Sequence, residues 1–177
     1  IIFSISKSTA QNKDALYDII ENTSSAKLEE SIRILANFGT RHTLSDTLSE
    51  TRGIGAARRW IKRKFESISK NCGNCLDVFY QKNYFTPKDG DRIVKPVWIN
   101  NVVAIQRGKI HPNRFIIMSG DIDSRISDSN NFTDDSPGAN DNASGMAGTI
   151  EAARVLSNYS FENSIIYTGL AGEEQGL

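Results

Sequence analysis

The sequence predicts an α/β fold, a sandwich built around a mixed β-sheet and preceded by a helical N-terminal segment. Apolar residues at helical spacing fill the first third of the chain, and short segments rich in Val, Ile, Phe and Tyr follow them. A further helix then stands between two short apolar runs. The 177 residues are about the size of one domain.

The first third is predicted to form three helices. Apolar side chains recur at helical spacing over residues 12–23, 27–39 and 53–71, and Gly39 is suited to end the second helix. Basic residues of the third helix alternate with apolar ones, which indicates a solvated helix face rather than a nucleic-acid site. Lys+Arg and Asp+Glu also balance at 21 each, and no apolar run approaches the roughly 20 residues of a membrane span.

Strands are predicted over residues 76–85, 94–108, 114–120 and 164–170. The first two flank "PKDGDR", which is typical of a hairpin turn. The last two, "RFIIMSG" and "SIIYTGL", are continuous apolar runs, as expected of central strands buried on both faces. A helix over 144–158 connects them.

Acidic residues follow two of these strands and precede the connecting helix. The segments "GDIDS", "GANDNASG" and "GEEQGL" contain the acidic residues Asp121, Asp123, Asp141, Glu173 and Glu174. Ligands of open α/β sheets gather at the carboxyl ends of the strands. These side chains are therefore predicted to lie together at that end of the sheet, which we call the rim. Arg125 is the only basic residue among the segments. A bound cation is therefore the natural counter-charge.

These three segments resemble the co-catalytic zinc exopeptidases of clan MH (peptidase family 28), which include leucyl aminopeptidases, glutamate carboxypeptidases and glutaminyl cyclases. The family pattern is G-H-x-D-S, P-G-A-x-D-N-A-S-G and G-E-E-x-G-L, and the likeness is strong over residues 115–177. The N-terminal "GTRHTLSDT" also resembles secreted members. The resemblance implies a three-layer α/β/α sandwich with a mixed, mostly parallel sheet. It makes residues 1–177 the N-terminal portion of one domain, with a helical segment 1–71 and the metal-site motifs in 72–177.

The resemblance also implies a role for each acid. Asp141 would bridge two zinc ions, Asp121 and Glu174 would each bind a metal, and Glu173 would be the general base. Asp123 would orient the ligand at position 121 from behind. The Asp141–Asn142 peptide is expected to be cis, as it often is in the family.

Two departures from the family pattern are visible. Asp121 stands where the family has His, so altered occupancy or a harder metal such as manganese or magnesium is expected. The family's further acidic ligand and final His would lie beyond Leu177, and neither His42 nor His111 matches a ligand position. His42 is expected to pack or to make hydrogen bonds, and His111 to be exposed. The remaining ligands are expected to come from the missing C-terminal portion, present as a second chain. The alternative expectation is that the chain associates with itself.

The two cysteines, Cys72 and Cys75, stand in "NCGNC". A redox pair, half a zinc knuckle and a local disulfide all fit this spacing. The absence of further cysteines argues against a knuckle, and the position after a helix and before a strand argues against a redox pair. A structural disulfide is favoured, which predicts a secreted or periplasmic protein.

The leading functional hypothesis is a zinc-dependent exopeptidase, most simply an aminopeptidase that acts on peptides through metal-activated water. One alternative is a non-catalytic relative whose fold serves binding or assembly, which Asp121 favours. The intact acidic motifs argue against it. Another alternative is glutaminyl-cyclase-like chemistry on a similar core with a single zinc ion.

Overall fold

The structure, a computed structural model, describes residues 13–177. Its elements are the helices α1 (Lys13–Glu21), α2 (Ser25–Ala36), α3 (Gly53–Asn71) and α4 (Ser144–Leu156) and the strands β1 (Leu76–Phe85), β2 (Val97–Gln106), β3 (His111–Asp121) and β4 (Asn163–Leu170). The predicted order, three helices, three strands, one helix and one strand, is confirmed. Residues 1–12 of the predicted helical segment lie outside the described residues.

The helices α2 and α3 bury the faces that their apolar spacing predicts, whereas α1 leaves Leu16, Tyr17 and Ile20 exposed. Ser24 caps α2 by accepting the backbone N–H of Lys27, and Leu35 of the same helix is fully buried. α3 buries Ile61 and Phe65 completely. Each such side chain contributes about 1.5–3 kcal/mol by leaving water, so this stripe fixes α3 to the sheet.

The sheet is mixed, in the order β1-β2-β4-β3. β3 and β4 pair in parallel, whereas β1–β2 and β2–β4 are antiparallel. The predicted mixed α/β sheet is therefore confirmed, but its described strands are mainly antiparallel rather than mostly parallel. The reason is that β1 and β2 form a hairpin, and only the α4 crossover produces a parallel pair.

One helical layer covers the sheet. Buried residues of α2, α3 and α4 form a single apolar cluster with the sheet side chains of one face, among them Val102, Ala104, Ile165 and Tyr167. Side chains of the opposite face, such as Phe79, remain partly exposed. The described residues thus form two of the three predicted layers.

β3 differs from its prediction as a strand buried on both faces. It lies at one edge of the described sheet, and Phe115, Ile116 and Ile117 are 48%, 54% and 65% exposed. An apolar run indicates that a strand is suited to burial, but it does not specify the neighbours that provide it. Among residues 13–177, β3 has one neighbouring strand, β4.

The β1–β2 hairpin extends past the end of β4. Val102 is the first β2 residue in register with β4, opposite Gly169, whereas β2 begins at Val97. The residues before Val102 therefore form a two-stranded arm with β1. The Asn101 side chain at its base accepts the backbone N–H of Ala171 at 2.8 Å, which ties the arm to the chain leaving β4.

Cys72 and Cys75 form a disulfide directly after α3, with Cα atoms 5.5 Å apart. This matches the favoured interpretation of "NCGNC" and leaves no free cysteine. In residues 13–177 every helix is too short or too polar to cross a lipid bilayer.

Candidate metal centre

Two of the acidic segments meet where β3 and β4 end. The strands run in parallel, and Asp121, the last residue of β3, stands in register with Leu170, the last of β4. The next backbone N–H, that of Ile122, donates to the Leu170 carbonyl at 2.6 Å. A short 3-10 helix, Glu173–Gln175, follows β4 at once. The segments that carry Asp121 and Glu174 are thus neighbours, as predicted.

The third segment, the turn Ala139–Ala143, joins them through Asn142. Its amide Nδ2 donates to Asp121 Oδ2 at 2.8 Å, and its Oδ1 accepts the Gly145 N–H at 2.8 Å at the start of α4. Gly120 makes this approach possible, because a Cβ there would lie 2.4 Å from the Met146 nitrogen. The Asp141–Asn142 peptide is cis, as the family resemblance implies.

Glu174 lies between an arginine and a carboxylate. Arg125 Nε donates to Glu174 Oε2 at 2.8 Å, and the Glu174 side chain is only 12% exposed. Burial raises the pKa of Glu174, and the negative charge of Asp141 raises it further, while Arg125 opposes both effects. Asp141 itself is exposed. The two carboxylates therefore repel each other across the rim, and an additional positive charge would stabilise them.

Asp123 is completely buried behind the rim. Its Oδ2 accepts the hydroxyl of Thr43 at 2.9 Å and the backbone N–H of Glu174 at 3.2 Å. Burial raises the pKa of Asp123 to about 6. Its Oδ1 is buried without a hydrogen-bond partner among the described residues. The side chain thus holds the main chain of Glu174 and keeps one acceptor oxygen without a partner within residues 13–177.

The predicted ligands lie at one rim, but their side chains do not form a preformed coordination site. Within residues 13–177, no three His, Cys, Asp or Glu side chains are grouped closely enough to hold an ion. Instead, an oxygen of Asp121 accepts from Asn142 and one of Glu174 accepts from Arg125. The donor chemistry nevertheless fits a divalent cation, because carboxylate oxygens bind zinc and harder ions and the Glu174–Asp141 repulsion favours one.

Glu173, the predicted general base, is exposed beside a pocket. The pocket has a volume of about 390 Å³. It is formed by the hairpin arm and the segment after β4, with the lining residues Asn83, Tyr84, Phe85, Ile99, Asn101, Leu170, Ala171, Glu173 and Leu177. Glu173 and Glu174 therefore differ in surroundings: one faces solvent and the pocket, and the other lies inside the rim.

His42 packs and makes hydrogen bonds, and His111 is exposed, as predicted. His42 is fully buried: its Nδ1 accepts the Leu44 N–H at 3.0 Å, and its Nε2 lies 3.0 Å from the Ser129 carbonyl. Burial lowers the pKa of His42, and its Nε2 also lies 3.0 Å from the amide nitrogen of Gln175, in the segment that carries Glu173 and Glu174. His111 begins β3 and is exposed.

Four residues that shape the rim had no predicted role: Arg41, Thr43, Arg125 and Asn142. Three of them stand in segments that the sequence already marks, "GTRHT" and "GANDNASG". Arg125 was visible as the only basic residue among the acidic motifs. No local pattern, however, indicates that it pairs with Glu174, 49 positions further along the chain.

Comparison with known proteins agrees with the predicted resemblance. Residues 101–177 match the sequence model described as Peptidase family M28. The chain is 40% identical over 162 residues to a "Probable zinc metalloprotease" of Pyrenophora tritici-repentis, covering 92% of this chain and 37% of that protein. A protein of Leptosphaeria maculans with the same description is 42% identical over 165 residues, covering 93% and 38%. The chain thus spans little more than a third of the length of these relatives.

Solved structures share the fold. The LapA aminopeptidase of Legionella pneumophila superposes with a TM-score of 0.66 at 19% identity, over 99% of this chain and 41% of that one. A glutaminyl cyclase of Porphyromonas gingivalis gives the same TM-score and identity over 89% and 48%. At this identity the likeness concerns the fold alone.

Proposed function

We propose that the chain forms part of a zinc-dependent peptidase and carries metal-binding and proton-transfer residues of its active site. The match of residues 101–177 to Peptidase family M28 supports this proposal. The observation that carries the proposal is the meeting of three acidic segments at one rim, with Arg125 as the only cation that pairs with a rim carboxylate among the described residues. An exposed carboxylate, Glu173, stands directly beside them.

Each side chain has a defined task in this proposal. Asp121, Asp141 and Glu174 would hold zinc, with Asp141 shared between two ions. Zinc held there would supply Lewis acidity and lower the pKa of water. Glu173 would accept a proton from the attacking water and return it to the leaving amine. Asp123 would fix Glu174 through the backbone N–H that it already accepts. Asn142 would orient Asp121.

Exopeptidase action, and aminopeptidase action in particular, is the finer part of the proposal. It is supported by the family match and by the fold shared with an aminopeptidase. The disulfide supports an oxidising location, so we extend the proposal to a secreted or periplasmic protein.

The remainder of the complete protein would supply the other metal ligands and cover β3. This is supported by the share of the relatives that the chain spans and by the exposure of Phe115, Ile116 and Ile117 on an edge strand. Association of two copies of the chain through β3 is the competing arrangement.

The proposal is tested with the complete protein by metal removal. Dialysis against a chelator is expected to abolish hydrolysis of aminoacyl anilides, and zinc is expected to restore it, because the carboxylates alone cannot acidify water. Metal content is measured in parallel. Unchanged hydrolysis after complete zinc removal would contradict the proposal. Cyclisation of N-terminal glutamine without anilide hydrolysis would instead indicate cyclase chemistry.

Asp121→His is expected to tighten zinc binding by about tenfold. An imidazole removes one negative charge from the rim, and histidine is the residue that the family pattern has at this position. Competition with a chromophoric chelator measures the affinity. The matched control is Asp121→Asn, which removes the same charge without an imidazole and is expected to weaken binding. Equal affinity in all three proteins would show that position 121 does not face the metal.

A further inference from the structure

We propose that Arg41 is a positioning residue that holds two of the metal-binding segments in register with each other. This inference rests on the proposed function. Arg41 is the largest fully buried side chain of the described residues, at 1% exposure. It is neither a metal ligand nor in reach of the pocket beside Glu173.

The guanidinium group of Arg41 donates to four backbone carbonyls. Nε donates to Ile122 O at 2.8 Å. One terminal nitrogen donates to Leu35 O at 3.0 Å and to Pro137 O at 2.6 Å. The other donates to Gly138 O at 3.0 Å. The four carbonyls belong to three separate segments: the end of α2, the loop after β3 and the turn before α4.

Two of these segments carry predicted ligands within three residues of the contact. Ile122 lies between Asp121 and Asp123, so its carbonyl fixes the direction of the chain on leaving β3. On the other side, Gly138 is in a left-handed conformation with φ of 45°, and a Cβ there would lie 2.4 Å from the Asp141 carbonyl oxygen. Movement of Gly138 would therefore move Asp141. The guanidinium group of Arg41 connects Gly138 to Ile122.

The backbone of Arg41 strengthens the same connection. Its N–H donates to Ser124 Oγ at 3.1 Å, and that hydroxyl donates to the Ser136 carbonyl at 2.7 Å. The preceding residue, Thr40, forms a β-bridge with Ser136. The loop after β3 and the turn before α4 are thus joined twice through one residue.

Only arginine suits this arrangement. Burial lowers the pKa of Arg41 to about 10, so the group stays charged at neutral pH. Carbonyl oxygens in three directions match the fixed fork of a guanidinium, whereas the ammonium group of lysine presents a single point charge. The negative charges of Asp123 and Glu174 partly oppose the effect of burial on Arg41, but its hydrogen bonds go to carbonyls. A buried charge of this kind is costly to retain for packing alone.

Arg41→Lys in the complete protein tests the proposal. Zinc affinity is expected to fall about 10–100-fold, because supporting contacts behind metal ligands have effects of that size. The absorption spectrum of the cobalt-substituted protein is expected to change as the ligand geometry loosens. Hydrogen exchange in the metal-free protein is expected to rise at residues 121–124 and 136–143, which requires no metal and so separates this proposal from the proposed function.

Arg59→Lys is the matched control. Arg59 also donates to backbone carbonyls, those of Thr47, Leu48 and Ser49, in a loop that carries no predicted ligand. It is expected to leave zinc affinity and the cobalt spectrum within twofold of the wild type. Two outcomes overturn the proposal. In one, Arg41→Lys leaves affinity, spectrum and local exchange unchanged. In the other, Arg41→Lys and Arg41→Met both fail to fold while Arg59→Lys folds, which would make Arg41 a folding determinant only.

Discussion

Asp141→Ala is expected to remove all bound zinc from the complete protein and to reduce peptidase activity to background. Asp141 is exposed in the turn before α4, and in the proposed site its carboxylate is shared between two ions. Its loss removes a ligand from each ion at once, and Asp121 and Glu174 are already engaged by Asn142 and Arg125. Metal analysis after dialysis, together with anilide hydrolysis, measures both effects.

The control for Asp141→Ala is Asp89→Ala, which removes the same charge from the exposed loop between β1 and β2. It is expected to retain full zinc content and activity. Retention of two zinc ions by Asp141→Ala would contradict the bridging role. Loss of one ion alone would assign Asp141 to a single site.

Glu173→Gln is expected to lower kcat by roughly 10²–10⁴-fold while zinc content is unchanged, because the amide keeps the shape of the side chain but cannot accept a proton. Glu173 is exposed and borders the pocket, whereas Glu174 lies inside the rim. The adjacent residues therefore differ in surroundings, and a change at 173 is expected to leave the proposed metal ligands in place. Steady-state kinetics and metal analysis on the same samples measure the two quantities.

The matched control for Glu173→Gln is Glu162→Gln, an exposed glutamate just before β4. Its kinetics are expected to equal those of the wild type. Wild-type kcat in Glu173→Gln would remove the residue from the mechanism. Simultaneous loss of zinc would indicate that it is a ligand rather than the base.

Local sequence patterns predicted most of the fold. β1 has the predicted limits 76–85, because a β-rich run bounded by the disulfide loop and by "TPKDG" leaves few alternatives. α3 likewise has the predicted limits 53–71. The rim was predictable from one rule, that parallel strands end together, applied to "GDIDS" and "GEEQGL".

The contacts between distant segments were not predictable. The edge position of β3 depends on which strands are its neighbours, and an apolar run carries no such information. The pairs Arg125–Glu174 and Asn142–Asp121 connect residues 49 and 21 positions apart. They depend on side-chain directions that are determined only once the sheet and α4 have packed.

The position of the two-stranded arm of β1 and β2 determines where the chain is expected to tolerate changes in length. The arm forms one wall of the pocket beside Glu173, yet its β2 residues before Val102 are not in register with β4. Changes in length are therefore expected to be tolerated only at the exposed turn 88–91. Ile93 is buried against Leu44 and Ile99, and Arg92 donates to the Glu174 carbonyl at 3.5 Å.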